Sequence, residues 1–243
     1  VSFPSHAVIV TAAGSSERFK QSGTKLQKKE FVLIDDRSVL YHAVEPFMQT
    51  PQLKAVIVTY APDYLEETEA ALDNLMFAFP VPLLLVEGGQ TRQQSVLKAL
   101  EQLSFMELAI DYVAIHDGAR PWVSPELIIN TLATATVFGG AAPALIIHDA
   151  LKKIDEHGCI SQHVIRDGIV AIQTPQVFRF PLILDAHRKA SGAKKTYVDD
   201  TEIFSDFGGM IAICEGLLEN RKLTTFADLN ISVTKVANQK DEV

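Results

Sequence analysis

The chain has 243 residues, 47% of them hydrophobic, and a formal net charge of -8. That length accommodates one α/β domain with a substantial buried core, and the acidic balance excludes a nucleic-acid partner of the usual kind, which needs a dense positive surface. Two cysteines, Cys159 and Cys214, far apart and in no CxxC pair, point to neither a zinc site nor a disulfide framework, and fit a reduced cytoplasm.

The N-terminal stretch has no basic flank, and its apolar run HAVIVTAA is too short to span a bilayer. Pro80 and Pro82 break the other rich run, FAFPVPLLLV, so no membrane partner is expected. Continuous runs of Val, Ile and Leu predict buried parallel strands at 7–13, 55–60, 82–88 and 112–118. Between them, helical patterns run from Ser38 to Met48, Pro62 to Leu75, Thr91 to Leu103 and Ser124 to Gly140. Ser38 is a candidate N-cap, and Pro62 and Pro125 suit first turns.

This alternation predicts an α/β fold, a mostly parallel twisted sheet with helices on both faces, and ligands beyond the carboxyl ends of the strands. Four loops there read TAAGSSER, YAPD, EGGQTR and HDGARP. Past Gly140, two short alternating segments around Glu156, His157 and Gly158 predict a hairpin, an inserted arm over roughly 143–165. A helix near 179–190, another over DDTEIFSDFG, a strand MIAICEG and a last helix near TTFADL complete one domain over 1–243.

The first loop carries the sharpest chemical signal. Gly14 permits a tight turn that exposes backbone amides to an anion, and Arg18, Lys25, Lys28 and Lys29 follow within one polar stretch. A dinucleotide fingerprint needs three glycines, and a P-loop needs glycine directly before lysine; neither spacing is present. Four clustered cations in an acidic protein repel one another unless an anion or solvent screens them. By themselves they read first as a solvated charged loop. The seven histidines contain no HExxH, and His116 reads as packing.

AAGSSERF, EGGQTRQQSV, HDGARP, TPQVF, VDDTE and ENRKLT, in that order, resemble the 2-C-methyl-D-erythritol 4-phosphate cytidylyltransferases of the non-mevalonate isoprenoid pathway. The resemblance extends from about residue 7 to 236. It implies a Rossmann-like nucleotidyltransferase fold with a protruding β-hairpin arm, and transfer of CMP from CTP to the sugar-alcohol phosphate with magnesium. It implies a homodimer, because the family's arm embraces a second subunit.

Residue by residue, the resemblance gives Arg18 and Lys29 the transition state and the leaving pyrophosphate. Lys25 and Lys28 stay open as rivals to Lys29, because this chain carries an insertion of about four residues there. Arg166 and Lys222 would position the acceptor phosphate, with Thr174 donating its hydroxyl nearby. Ala12, Ala13, Gly14, Gly88, Gly89, Gln90 and Ser95 would form the cytidine pocket. Asp117 would face the substrate or the magnesium ion and Arg120 would bind substrate or secure its loop; the competing reading is that these two pair with each other. Arg92 would be structural, and Asp199 and Asp200 either cap a helix or meet substrate.

Ala150 and Val198 stand where many members of the family have threonine. The sequence leaves as alternatives a ribitol 5-phosphate cytidylyltransferase, an NAD-dependent oxidoreductase with Asp35 or Asp36 as its ribose acid, and a catalytically silent binding module.

Overall fold

A computed structural model describes residues 3–17, 19 and 28–229. Strand β1 (His6–Ala12) sends Val8, Val10 and Ala12 to one core and Ala7 and Ile9 to another, following the two-residue period of a strand. A 3-10 turn at Lys29–Phe31 and a small hairpin, β2 (Leu33–Ile34) with β3 (Arg37–Ser38), lead into α1 (Val39–Met48). The Ser38 hydroxyl caps α1 by accepting from the Tyr41 amide at 3.0 Å.

Then β4 (Leu53–Tyr60), α2 (Leu65–Ala78), β5 (Leu83–Glu87), α3 (Arg92–Phe105), β6 (Tyr112–Asp117), α4 (Pro125–Phe138) and β7 (Gly140–Ile146) alternate as the apolar runs predict. Thr91 caps α3 and Ser124 caps α4. Gly139 ends α4 at φ 92°, a left-handed conformation that glycine adopts without a Cβ clash. Beyond lie β8 (Leu151–Ile154), β9 (Ile160–Val164), β10 (Val170–Ile172), β11 (Gln176–Arg179), α5 (Phe180–Ser191), α6 (Asp200–Asp206) and β12 (Ala212–Glu215). The last helix expected near TTFADL lies largely outside the described residues.

The main sheet runs β10-β7-β11-β6-β1-β4-β5, with β12 on the other flank of β7. Strands β6, β1, β4 and β5 are parallel in register, so that Ile9 lies beside Ile57 and Ile115, all three fully buried. Strand β11 runs antiparallel to β6 and β7. Helices α1, α2 and α4 cover one face through Leu40, Phe47, Leu72 and Ile128; α3, α5 and α6 cover the other through Leu100, Ile183 and Phe204. Strands β8 and β9 form a separate exposed hairpin, so residues 143–146 of the expected arm belong to the main sheet and the hairpin spans 151–164. No helix among the described residues is long and apolar enough to cross a membrane.

The parallel strands end together at Ala12, Tyr60, Glu87 and Asp117, and polar groups fasten the loops that leave these ends. The break between β10 and β11 matters most. There Gln173 and Thr174 are buried, and the Thr174–Pro175 peptide is cis. The Thr174 hydroxyl accepts from the Asp117 amide at 3.1 Å and turns its proton to His116 Nδ1 at 3.0 Å, while His116 Nε2 donates to the Arg120 carbonyl at 3.2 Å. A carbonyl can only accept, so Nε2 carries a proton, and in the neutral imidazole that burial favours Nδ1 is left as the acceptor for Thr174. Gln173 clamps Leu217 through both backbone groups, and Asn220 Nδ2 donates to the Thr174 carbonyl at 2.8 Å. The segment carrying Lys222 is thereby fixed against the end of β6.

Burial pushes the His116 imidazole down to about 4 from 6.5, against an opposing pull from Asp117. Between those values the unfolded chain takes up a proton that the folded chain refuses, so stability falls as pH drops from 6.5 toward 4, by about 3 kcal/mol at most. Urea unfolding across that window should show this loss, and His116→Gln, which cannot titrate, should flatten it. An unchanged slope in the variant would remove His116 as its source.

Candidate active site

A cleft of about 380 Å³ opens beyond the carboxyl ends of β1, β4, β5 and β6, where the alternating pattern predicts a ligand. Of the residues singled out in the sequence, Ala13, Gly14, Lys29, Gly89, Gln90, Ser95, Asp117 and Lys222 line it. Four separate loops therefore meet on one small space.

Some expected contacts sit one layer back. Ala12 is buried, and its carbonyl accepts from Lys28 Nζ at 3.0 Å. Gly88 binds the Tyr60 carbonyl through its amide and Lys98 through its carbonyl. A Cβ there would fall 2.3 Å from Ala13 Cβ and 2.9 Å from Ser95 Oγ, so only glycine allows the two loops this approach. Ser95 is a site residue and a helix residue at once. Its hydroxyl donates to the Thr91 carbonyl at 2.9 Å and accepts from the Gly89 amide at 3.0 Å, shaping the loop that faces the cleft.

The lysines separate clearly. Lys28 is 1% exposed, with its ammonium 4.8 Å from the centre of the Tyr64 ring, and is not among the residues lining the cleft. Lys29 does line it, and its Nζ donates to the Leu223 carbonyl at 3.1 Å. Arg18 and Lys25 lie outside the described residues.

Asp117 is the electrostatic centre. Lys222 Nζ lies 3.0 Å from Oδ2, Arg120 Nε 3.3 Å from the same oxygen, and Arg92 Nε 3.7 Å from Oδ1. Burial alone would push this carboxyl up; the charges of Lys222, Arg92 and Arg120 override it and hold the group well below the ordinary carboxylate range. Asp117 and Arg120 thus do pair, and Arg120 reaches back to the Asn220 carbonyl at 2.7 Å and does not line the cleft. The expectation of Asp117 as a magnesium ligand does not fit: three cations already surround it, and a dication would have to displace the nearest. No group of three His, Cys, Asp or Glu among the described residues is arranged to hold a metal ion.

Thr174 is likewise corrected from a substrate donor to a buried brace, because its hydroxyl is used between Asp117 and His116. Arg166 follows β9, is exposed and donates to the His148 carbonyl; it does not line this cleft.

The sequence did not single out Arg92, Ser16 or Glu30 as lining residues, yet all three line the cleft. Arg92 also meets Asp200 at 2.7 Å, and Asp200, fully buried, lies 3.2 Å from His187 Nε2. Burial works against the Arg92 charge, but Asp200 and Asp117 more than compensate and raise it above its ordinary value. Asp199 caps α6 by accepting from the Glu202 amide at 3.0 Å, while Asp200 anchors Arg92. The Gly and Arg shared by EGGQTR and HDGARP was the available signal for Arg92. Glu30 offered none beyond its place beside Lys29.

The sequence pattern of the family described as "IspD: 2-C-methyl-D-erythritol 4-phosphate cytidylyltransferase" matches residues 6–237. The chain is 38% identical over 226 residues to the bifunctional enzyme IspD/IspF of Rhodopseudomonas palustris (strain TIE-1), covering 93% of this chain and 54% of that protein. It spans about half the length of such bifunctional relatives. It is 34% identical to the 2-C-methyl-D-erythritol 4-phosphate cytidylyltransferase of Caldanaerobacter subterraneus subsp. tengcongensis, over 93% of this chain and 96% of the relative. In fold it is similar to the 4-diphosphocytidyl-2C-methyl-D-erythritol synthase of Anaerococcus prevotii, with a TM-score of 0.80, 24% identity and 96% of each chain covered. With a match over nearly its whole length and a cation-lined cleft where the sheet's parallel strands end, the chain belongs to the 2-C-methyl-D-erythritol 4-phosphate cytidylyltransferase family of nucleotidyltransferases.

Proposed function

We propose that the chain transfers CMP from CTP to the phosphate of 2-C-methyl-D-erythritol 4-phosphate, giving the cytidine diphospho product and pyrophosphate in isoprenoid precursor synthesis. Its relatives' names support this. The structural observation that supports it most is the meeting of Lys29, Arg92 and Lys222 with the Ala13–Gly14 and Gly89–Gln90 loops on one cleft.

An acceptor phosphate oxygen attacks the α-phosphorus, a new P–O bond forms, and the bond to the bridging oxygen of pyrophosphate breaks. The nucleophile is already anionic, so no general base is needed. The barrier is the approach of two polyanions, and fixed cations lower it. Small residues and backbone groups of the two glycine-containing loops suit the cytidine. Lys29 faces the triphosphate, and Lys222 faces the acceptor phosphate. Magnesium would arrive as part of the triphosphate substrate and offset charge on its phosphates.

Arg166 is proposed to act across a homodimer. It lies just past the arm and does not line the cleft of its own chain, and large apolar side chains near it are open, Ile165 at 80% and Ile146 at 73% exposure. A second copy covering that face would bring Arg166 to the partner's acceptor phosphate. A cytoplasmic setting agrees with two unpaired cysteines.

Pyrophosphate release with CTP and magnesium tests the reading: 2-C-methyl-D-erythritol 4-phosphate should support turnover and ribitol 5-phosphate should not, and the reverse preference would reassign the acceptor. Lys29→Ala should lower kcat by roughly 10² while the protein stays folded, the scale for one preorganised charge donor; near-normal turnover would exclude Lys29 from the chemistry. Arg166→Ala should raise KM for the acceptor tenfold or more while KM for CTP changes little. Mixing the two variants and allowing subunit exchange should restore about a quarter of wild-type activity, because each mixed dimer has one intact site. No recovery despite exchange would place Arg166 in its own chain's site.

A further inference from the structure

The run Lys28-Lys29-Glu30 places the pocket's lysine between two charged side chains that are almost completely buried, at 1% and 3% exposure. Burying a lysine and a glutamate on either side of a surface turn is costly unless each is paired. Both have partners at the far end of the same loop. Lys28 Nζ donates to the Ala12 carbonyl at 3.0 Å, and the Ser16 hydroxyl donates to Glu30 Oε2 at 2.9 Å. Ser16 holds φ at 56°, a backbone turn that brings its side chain back toward Glu30.

We infer that Lys28 and Glu30 are positioning residues that clasp the two ends of the nucleotide loop together and thereby aim Lys29 into the cleft. The loop leaves β1 at Ala12 and returns through the turn at Lys29–Phe31. Two ties, one at each neighbour of Lys29, fix the direction of the side chain between them as a single tie would not. Phe31 stacks on Tyr64, the ring that also lies beneath the Lys28 ammonium, which seats the turn on the protein body. Lys29 completes the fastening by donating to the carbonyl of Leu223, next to Lys222. The clasp thus joins the loop for the triphosphate to the segment proposed to hold the acceptor. It rests on the reading of the cleft as a CTP site.

Two readouts test the clasp, one with ligand and one without. Amide hydrogen exchange over Ala13–Glu17 in the ligand-free protein should speed up tenfold or more in Glu30→Ala, Ser16→Ala and Lys28→Met. Glu30→Gln, which keeps an acceptor for Ser16, should stay within threefold of wild type. In the same series kcat should fall about tenfold where the clasp is broken and recover in Glu30→Gln, with KM for the acceptor unchanged. Should Lys28→Met or Glu30→Ala fail to fold, Ser16→Ala carries the test. Unchanged exchange in the folded variants would overturn the clasp. Faster exchange with unchanged kcat would overturn its role in aiming Lys29 and leave only a structural tie. A wild-type protein that neither binds nor turns over CTP would overturn the reading of the cleft, while the exchange result would still judge the tie.

Discussion

The arrangement depends on one carboxylate with three cationic neighbours. Asp117 ends the buried strand β6 and draws Lys222, Arg120 and Arg92 to within 3.0, 3.3 and 3.7 Å. Positive charges needed for a polyanion would repel one another in a ligand-free protein. Here each rests on a group that offsets it: Lys222 on Asp117, Arg92 on Asp117 and Asp200, Lys29 on a carbonyl. The cleft can therefore hold cations in place before any substrate arrives, and electrostatic catalysis needs that lack of reorganisation.

The fold supplies the rigidity behind Asp117. Strand β6 is buried throughout, and the Asp117 amide at its end donates to Thr174, whose hydroxyl is held in turn by His116 of the same strand. Gln173 and Asn220, both buried, fasten the Lys222 segment to the same place, and Asp200 holds Arg92 from the opposite side. Removing one partner of such a buried pair leaves an uncompensated charge, with a cost of about 3–5 kcal/mol. Residues that never meet a ligand, such as His187 behind Asp200, thus share in setting the geometry of those that do.

Much of the scaffold was legible because apolar periodicity reports burial directly. Strands β1, β4, β5 and β6 and helices α1 to α4 fall within a few residues of the runs that predict them, and Ser38, Thr91 and Ser124 mark helix starts chemically. The convergence of the glycine loops came from the rule that parallel sheets bind ligands at their carboxyl ends. The pattern could not show which member of a charged run turns inward. Lys28, Lys29 and Glu30 are adjacent in sequence, and only tertiary partners such as Ala12, Leu223 and Ser16 decide that Lys29 alone among the two lysines meets the cleft. Thr174 was likewise visible as a residue of interest, but its partner His116 is 58 positions away.

Asp117→Asn tests the central claim most directly, because two electrostatic pictures give opposite signs. If the cations acted only through their summed charge, removing a negative charge from an anion pocket would strengthen CTP binding and leave turnover intact or faster. If Asp117 holds Lys222, Arg120 and Arg92 where they must stand, kcat with CTP and the acceptor should fall at least tenfold in a folded variant, whatever happens to CTP affinity. A folded Asp117→Asn protein that turns over as fast as wild type would contradict the account.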